Sequence, residues 1–212
     1  MIVLAIALTA VAGYVDAVGY LVLAHVFTAN MSGNTIAVGR AIVDGDWSTL
    51  VRRGSVIPLF VAGALISRIA IDAARRRSVR SVEAFLFLGE ATLLAIFWIA
   101  GTAGAPFLTL VAVAGAAMGI QNATITKFGA LNVRTTHVTG TLAEFAEKFA
   151  EVLVGAGRKN GREAIDLLAL WFAYLLFAAF GVAAQMRWGL ASLAVPIALV
   201  VFVSIVLFVH SI

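Results

Sequence analysis

Six stretches of this chain stay apolar for about as long as a helix needs to cross a bilayer, and that limits what it can fold into. A hydrocarbon core about 30 Å thick takes roughly 20 helical residues. Runs at 2–24, 55–73, 83–101, 106–126, 165–186 and 190–210 meet that length. Composition agrees: 62% of the 212 residues are hydrophobic and 12% are charged, against about 25% charged in a water-soluble domain. The expected fold is an all-α membrane protein of six transmembrane helices. The opening "MIVLAIALTAVAGYVDAVGY" has no basic n-region and contains Asp16, so it reads as a retained first span rather than a signal peptide. Short turns rich in Gly or Pro, "GTAGAP" at 101–106 and "RWGL" at 187–190, close two of the hairpins.

The net charge of +4 does not point to nucleic acid. The basic residues cluster at the ends of apolar blocks, which is how topology is signalled. With no cysteine there is no disulfide, no thiolate metal site and no thiol nucleophile. His25 and His137 lack further ligand-type residues at close spacing, so no metal is expected, and no cofactor motif is present. No nucleophile elbow, zinc-protease helix, phosphate loop or dinucleotide loop occurs. An intramembrane hydrolase using Asp16 or His137 as base would still need a partnered nucleophile, and none is spaced recognisably. The expectation is a protein that is not an enzyme. Trp47, Trp98, Trp171 and Trp188 suit interface anchoring.

Two longer connections, 25–54 and 127–164, each begin with a polar, Gly-centred stretch: "TANMSGNTIAV" (28–38) and "TTHVTGTLAEF" (135–145). Aligning the halves puts Gly13 over Gly119, Asp16 over Asn122 and Gly33 over Gly140, at offsets of 106 and 107. In each half one span precedes the polar stretch and two follow it. The chain therefore reads as two three-helix repeats, 1–104 and 105–212. Odd parity makes the second repeat enter from the opposite face. The basic residues fit such an inversion. With the Arg75, Arg76, Arg77 and Arg80 turn inside, eleven of the fifteen lie on the cytoplasmic side, including Arg68, Lys127, Arg134, Lys148, Arg158, Lys159 and Arg162. Arg40, Arg52, Arg53 and Arg187 fall outside. Both termini are then cytoplasmic.

Lipid supplies no hydrogen bonds, so non-helical backbone at membrane depth survives only where protein buries it or water reaches it. In inverted-repeat transporters such breaks meet near the midplane and their half-helix ends face the substrate. The two stretches suit broken or re-entrant segments of this kind. Asn30, Ser32, Gly33, Asn34 and Thr35 in the first, and Thr136, His137, Thr139, Gly140 and Thr141 in the second, offer small size and hydrogen bonds. Thr141 and Glu144 have capping-box spacing, which predicts a helix start near Thr141. The same residue types also serve ordinary capping and close helix packing, so that alternative stays open.

"GYVDAVGY…MSGNT" followed by "GIQNA…VRTTHVTGTL" resembles the YoaK family of bacterial inner-membrane proteins, catalogued as a domain of unknown function. The resemblance covers essentially the whole chain. It departs at Ser32, where the family motif usually carries Thr; the hydroxyl is kept. The family implies six membrane helices and an inner-membrane location, and names no substrate.

Polar residues inside the spans are the remaining candidates. A charge at mid-span costs roughly 2.5–3.5 kcal/mol on insertion scales, so Asp16 must be neutral, paired or wet. It is either a proton-coupling site or a buried carboxyl bonded to the break or to Asn34. Gln121 and Asn122 are its uncharged counterparts in the second repeat. Glu90, in the third span, is either a second proton-coupling site or a neutral carboxyl bonded between helices. Arg134 either holds an anionic group at the cytoplasmic mouth or snorkels to lipid and Glu144. Glu144, Glu147, Lys148 and Glu151 share one helical face, read as a solvated face of an interfacial amphipathic helix or the wall of an aqueous cavity. The functional expectation is a small-solute secondary transporter or permease, proton-coupled through Asp16 or Glu90. Its alternatives are a channel-like pore, or a non-transport membrane enzyme or lipid-binding assembly protein. The partners expected are the lipid bilayer and a small molecule or ion. A chain this short makes a thin bundle, which is compatible with a homodimer.

Overall fold

The structure is a computed structural model that describes residues 2–79, 81–124, 138–155 and 158–211. Among the described residues all regular structure is helical. The elements are α1 (Ile2–Val22), α2 (Met31–Asp44), α3 (Trp47–Gly54), α4 (Val56–Arg76), α5 (Val82–Thr102), α6 (Phe107–Thr124), α7 (Val138–Leu153), α8 (Arg158–Trp188) and α9 (Ala194–Ser211). Among the described residues, five stretches are long and apolar enough to cross a membrane: Ile2–Val22, Trp47–Arg76, Val82–Thr102, Phe107–Thr124 and Asn160–His210. The last is 51 residues long. A 3₁₀ turn at Gly189–Leu193 breaks it, with Gly189 in the left-handed region at φ 58°.

The distribution of polarity is the reverse of a water-soluble bundle. Val61, Leu65, Ile66 and Ile69 on α4, Phe85, Leu88, Ile96 and Ile99 on α5, and Phe202, Ile205, Phe208 and Val209 on α9 all face outward. Asp16, Thr28, Asn34, Ser67, Glu90, Gln121 and Asn122 are buried. A contiguous apolar exterior of this size marks contact with something other than water, and here that is the acyl-chain region of a bilayer.

Lipid also removes the hydrophobic drive between helices, so association rests on close backbone approach at small residues and on hydrogen bonds. Glycine supplies the approach at four places. A Cβ at Gly13 in α1 would strike the backbone carbonyl of Tyr174 in α8, and one at Gly181 in α8 would lie 2.9 Å from the Tyr14 carbonyl oxygen. A Cβ at Gly119 in α6 would strike the Phe60 carbonyl in α4, and one at Gly63 in α4 the Ala116 carbonyl in α6. So α1 of the first half clasps α8 of the second, while α6 of the second clasps α4 of the first. Helix α5 packs on α6 and α9, α7 on α8, and α2 on α3. One apolar core joins Leu8, Val11, Phe87, Leu94, Met118, Leu167 and Val203; the other joins Tyr14, Val18, Phe97, Val111, Ala184 and Leu193. Both cores draw on both halves.

Replacing Gly119 with Ala is expected to lower the melting temperature, by an overpacking penalty of about 1–3 kcal/mol. Gly39→Ala in α2 and Gly89→Ala in α5, where a Cβ meets nothing within 4 Å, are expected to be neutral or to gain up to about 1 kcal/mol of helix propensity. Thermal unfolding of the three variants in one detergent checks the contrast.

Candidate functional site: a cavity between two polar helix starts

Helix α1 ends at Val22, and Ala24 and His25 then take left-handed backbone angles, φ 49° and 66°. Such angles are strained for non-glycine residues, and the chain reverses here before α2 begins at Met31. The stretch between is non-helical and largely buried, so its backbone groups need partners. Two side chains provide them. One oxygen of Asp16 accepts from the Ala29 N–H (2.7 Å) and the Thr28 hydroxyl (3.2 Å). The Asn34 amide brackets Phe27, donating to its carbonyl (2.7 Å) and accepting from its N–H (3.1 Å). Asn30 caps α2 by accepting from the Gly33 N–H (3.4 Å) and also takes the Ser32 hydroxyl (2.8 Å).

The second oxygen of Asp16 accepts from the Tyr174 hydroxyl of α8 (2.7 Å). Hence the Asp16 carboxyl ties α1, the break and the opposite half together, and both oxygens are occupied. Elsewhere in the core the Gln121 amide donates to the Leu8 carbonyl (2.9 Å), and the Ser67 and Thr124 hydroxyls join α4 to α6 at 2.9 Å.

Beside the Asp16–Tyr174 pair lies a cavity of about 590 Å³, within the usual 300–1,000 Å³ of small-ligand sites. The first half contributes Ala29, Asn30, Met31, Ser32 and Phe60; the second contributes Asn122, Val138, Thr139, Gly140 and Tyr174. Ser32 and Thr139, which the sequence alignment matches, both line it, as does Asn122, the residue aligned with Asp16. The Phe60 backbone meets Gly119 and the Tyr174 backbone meets Gly13. A second depression of about 630 Å³ between α8 and α9 is lined by Phe177, Phe180, Ala194, Val195, Ala198 and Leu199. It offers no polar side chain to orient a solute.

Several expectations meet the coordinates here. Asn30, Ser32, Asn122, Thr139 and Gly140 line one cavity. Asp16 is buried behind it. Asn34 is wholly engaged with Phe27, Thr35 returns its hydroxyl to the Met31 carbonyl (2.9 Å), and Gly33 lies under the Phe27 ring. Gln121 is buried against α1, away from the lining. Arg134, Thr136 and His137 lie outside the described residues. Exposed His25 packs edge-on against Tyr20, with ring centroids 4.8 Å apart. Two details differ from expectation. Ser32, Gly33 and Asn34 belong to the first turn of α2, so the unwound part is 23–30, just upstream. Helix α7 is already formed at Val138, so Thr141 sits inside it and does not cap it. Tyr174 and Phe60 had no motif to announce them. Each abuts one of the glycines at 13 and 119, a contact that only the fold reveals.

Helix α7 also turns its charged face the other way. Glu144, Lys148 and Glu151 are half-buried, and Lys148 meets Glu151 at 3.1 Å and Glu163 of α8 at 3.7 Å. Leu142, Phe149 and Leu153 point outward. Lys148 is the counter-charge on this inward side, to Glu151 of its own helix and Glu163 of α8, while Glu147 is exposed. Burial pushes the Glu144 carboxyl above the usual range, and the Glu151 hydrogen bond holds the Lys148 ammonium above its own.

Apolar faces turned outward and polar side chains turned inward define a multi-pass helical membrane protein, and its cavity draws on both halves of the chain. The chain belongs to the family described as "Protein of unknown function (DUF1275)", which it matches over residues 4–206. It is 33% identical over 138 residues to UPF0700 transmembrane protein YoaK of Bacillus subtilis (strain 168), covering 64% of this chain and 61% of that protein. The aligned part is thus under two thirds of the relative's length. No solved structure matches.

Tyr174→Phe removes one donor from a buried carboxyl and is expected to cost about 1–3 kcal/mol; an unchanged melting temperature would refute the tie. Lys148 holds its proton more tightly in the folded chain than a free lysine does. Its stabilisation is therefore complete below the ordinary lysine range and fades as pH rises through the raised value. The melting-temperature gap between the native chain and Lys148→Gln should accordingly narrow in alkaline buffer.

Proposed function

We propose that this protein is a small-solute secondary transporter of the bacterial inner (plasma) membrane, with the cavity between the two polar helix starts as its binding site. One observation carries the reading: Ser32 and Thr139, matched residues of the two halves, line the same cavity. A structural turn repeated twice would have no reason to converge on a shared space. Six spans follow if α8 and α9 each cross once. A continuous 51-residue helix would be about 76 Å long at 1.5 Å per residue, far more than a hydrocarbon core of about 30 Å. The α1–α8 and α4–α6 clasps exchange with one another under the repeat alignment, as a pseudo-twofold axis between inverted repeats 1–104 and 105–212 requires. Both termini are then cytoplasmic. Within the lining, hydroxyl and amide groups alternate with Met31, Phe60 and Val138. That is a surface suited to binding and release of a small solute.

The chain has no cysteine, so S32C and T139C introduce single reporters. A membrane-impermeant maleimide is expected to reach each in vesicles from one side at a time, with a conformational ratio that shifts with conditions. Equal, simultaneous reactivity from both sides would indicate a pore. Protection of both residues from either side, in folded protein, would sink the transport reading.

A further inference from the structure

Glu90 lies on the buried stripe of α5, with Ala84, Phe87, Ala91, Leu94 and Phe97. It has no exposed surface, and neither carboxyl oxygen has a hydrogen-bond partner among the described residues. That state is unusual, because a buried polar group is nearly always bonded. It is also unlike Asp16, whose two oxygens take three hydrogen bonds.

Among the described residues no counter-charge is paired with it. Helix α6 and the 189–193 turn carry no ionisable side chain. On α9 the only one is His210, whose ring bonds the Val206 carbonyl at its far end. On α4, Arg68 pairs with Asp72, and Arg75 and Arg76 lie in its last turn. On α1, Asp16 is bound as described, and Tyr14 gives its hydroxyl to the Ser192 carbonyl (2.8 Å). Glu83 sits a further two turns towards the start of α5. None of these bonds Glu90. The residues flanking it on the buried stripe of α5, Phe87, Ala91 and Leu94, belong to the apolar core that also holds Leu8 of α1, Met118 of α6, and Val200 and Val203 of α9.

We propose that Glu90 is a proton-binding site distinct from the cavity, taking up and releasing one proton as the bundle changes conformation. An unpaired carboxylate is not tolerated in an apolar interior. In the sealed state the group is therefore the neutral acid, with its O–H intact. Release transfers that proton to water as hydronium and leaves a carboxylate, which needs hydration. The carboxylate form thus belongs to a state in which α5 has parted from α6 or α9. Those two contacts join the first half to the second. A proton on Glu90 favours the closed seam and its loss favours an open one, so a pH difference across the membrane can bias the alternation. This rests on the transport reading for its purpose, but the proton site stands or falls by itself. It also divides the work between the two membrane-depth carboxyls: Asp16 positions the break and Glu90 titrates.

Two measurements test it. In infrared difference spectra of the reconstituted protein, the carbonyl stretch of a protonated carboxyl in an apolar setting is expected to disappear in Glu90→Gln and shift in Glu90→Asp. A band unchanged in Glu90→Gln overturns the proposal, whatever the transport result. In vesicles, the inward-to-outward labelling ratio of S32C is expected to move with pH, by at most about tenfold per pH unit for one coupled proton. It should become pH-independent in Glu90→Gln and remain pH-dependent in Glu90→Asp. A ratio that shifts but keeps its pH dependence in Glu90→Gln removes Glu90 while leaving the transporter intact. A ratio that follows sodium, replaced by choline at constant pH, overturns the proton assignment in favour of a metal cation. If S32C is not labelled at all the transport reading fails, and the infrared band alone decides the site.

Discussion

The need to satisfy backbone hydrogen bonds where water is absent governs this molecule. Four of the eight residues between α1 and α2 are buried where the helix breaks; Leu23, His25 and Val26 give their N–H groups to backbone carbonyls, whereas Phe27 and the Ala29 N–H turn to side chains. Asp16 and Asn34 are those side chains, imitating the peptide groups a helix would have offered. With those two in place, Asn30 can cap α2, Ser32 can turn towards open space, and a cavity can exist beside the break. Membrane-depth polarity here is first a structural necessity, and the polar atoms left over are what make a site.

Close backbone contact does the rest. Because lipid does not push helices together, each clasp needs a residue small enough to let carbonyls approach, and Gly13, Gly63, Gly119 and Gly181 supply it. The clasps run between halves and not within them. The cavity consequently sits on the boundary between two close-packed pairs, α1 with α8 and α4 with α6.

How much of this was legible follows from the physics of each feature. Apolar length reports spans directly, which is why 2–24, 83–101 and 106–126 fall within a few residues of α1, α5 and α6. Gly13 and Gly119, which the sequence analysis aligned, both pack against the backbone of another helix, where a Cβ would clash. Parts of both polar stretches line the cavity, but the local conformation of the first differs from the expectation. Ser32 and Thr141 have cap-forming chemistry, yet they lie inside helices, because capping residues and first-turn residues are drawn from the same alphabet. The inward charged face of α7 was hidden for a different reason. A pattern of Glu and Lys at helical spacing shows that one face is polar, whereas only the neighbour α8 decides which way it turns. Tyr174 could not be found from its own surroundings, "WFAYLLF", where an aromatic residue is ordinary; its importance comes from a partner on another helix.

The cross-half clasps have a consequence for how the chain is made. As the ribosome delivers the first repeat, the grooves at Gly13 and Gly63 face lipid with nothing to fill them, and Asp16 waits for a hydroxyl that lies 158 residues further along. The opening spans must therefore be held in a provisional arrangement, by the insertion machinery or by loose mutual contact, until α6 and α8 arrive. The protein is locked late, from its second half backwards, and an interrupted synthesis leaves an exposed carboxyl as the mark of an unfinished molecule.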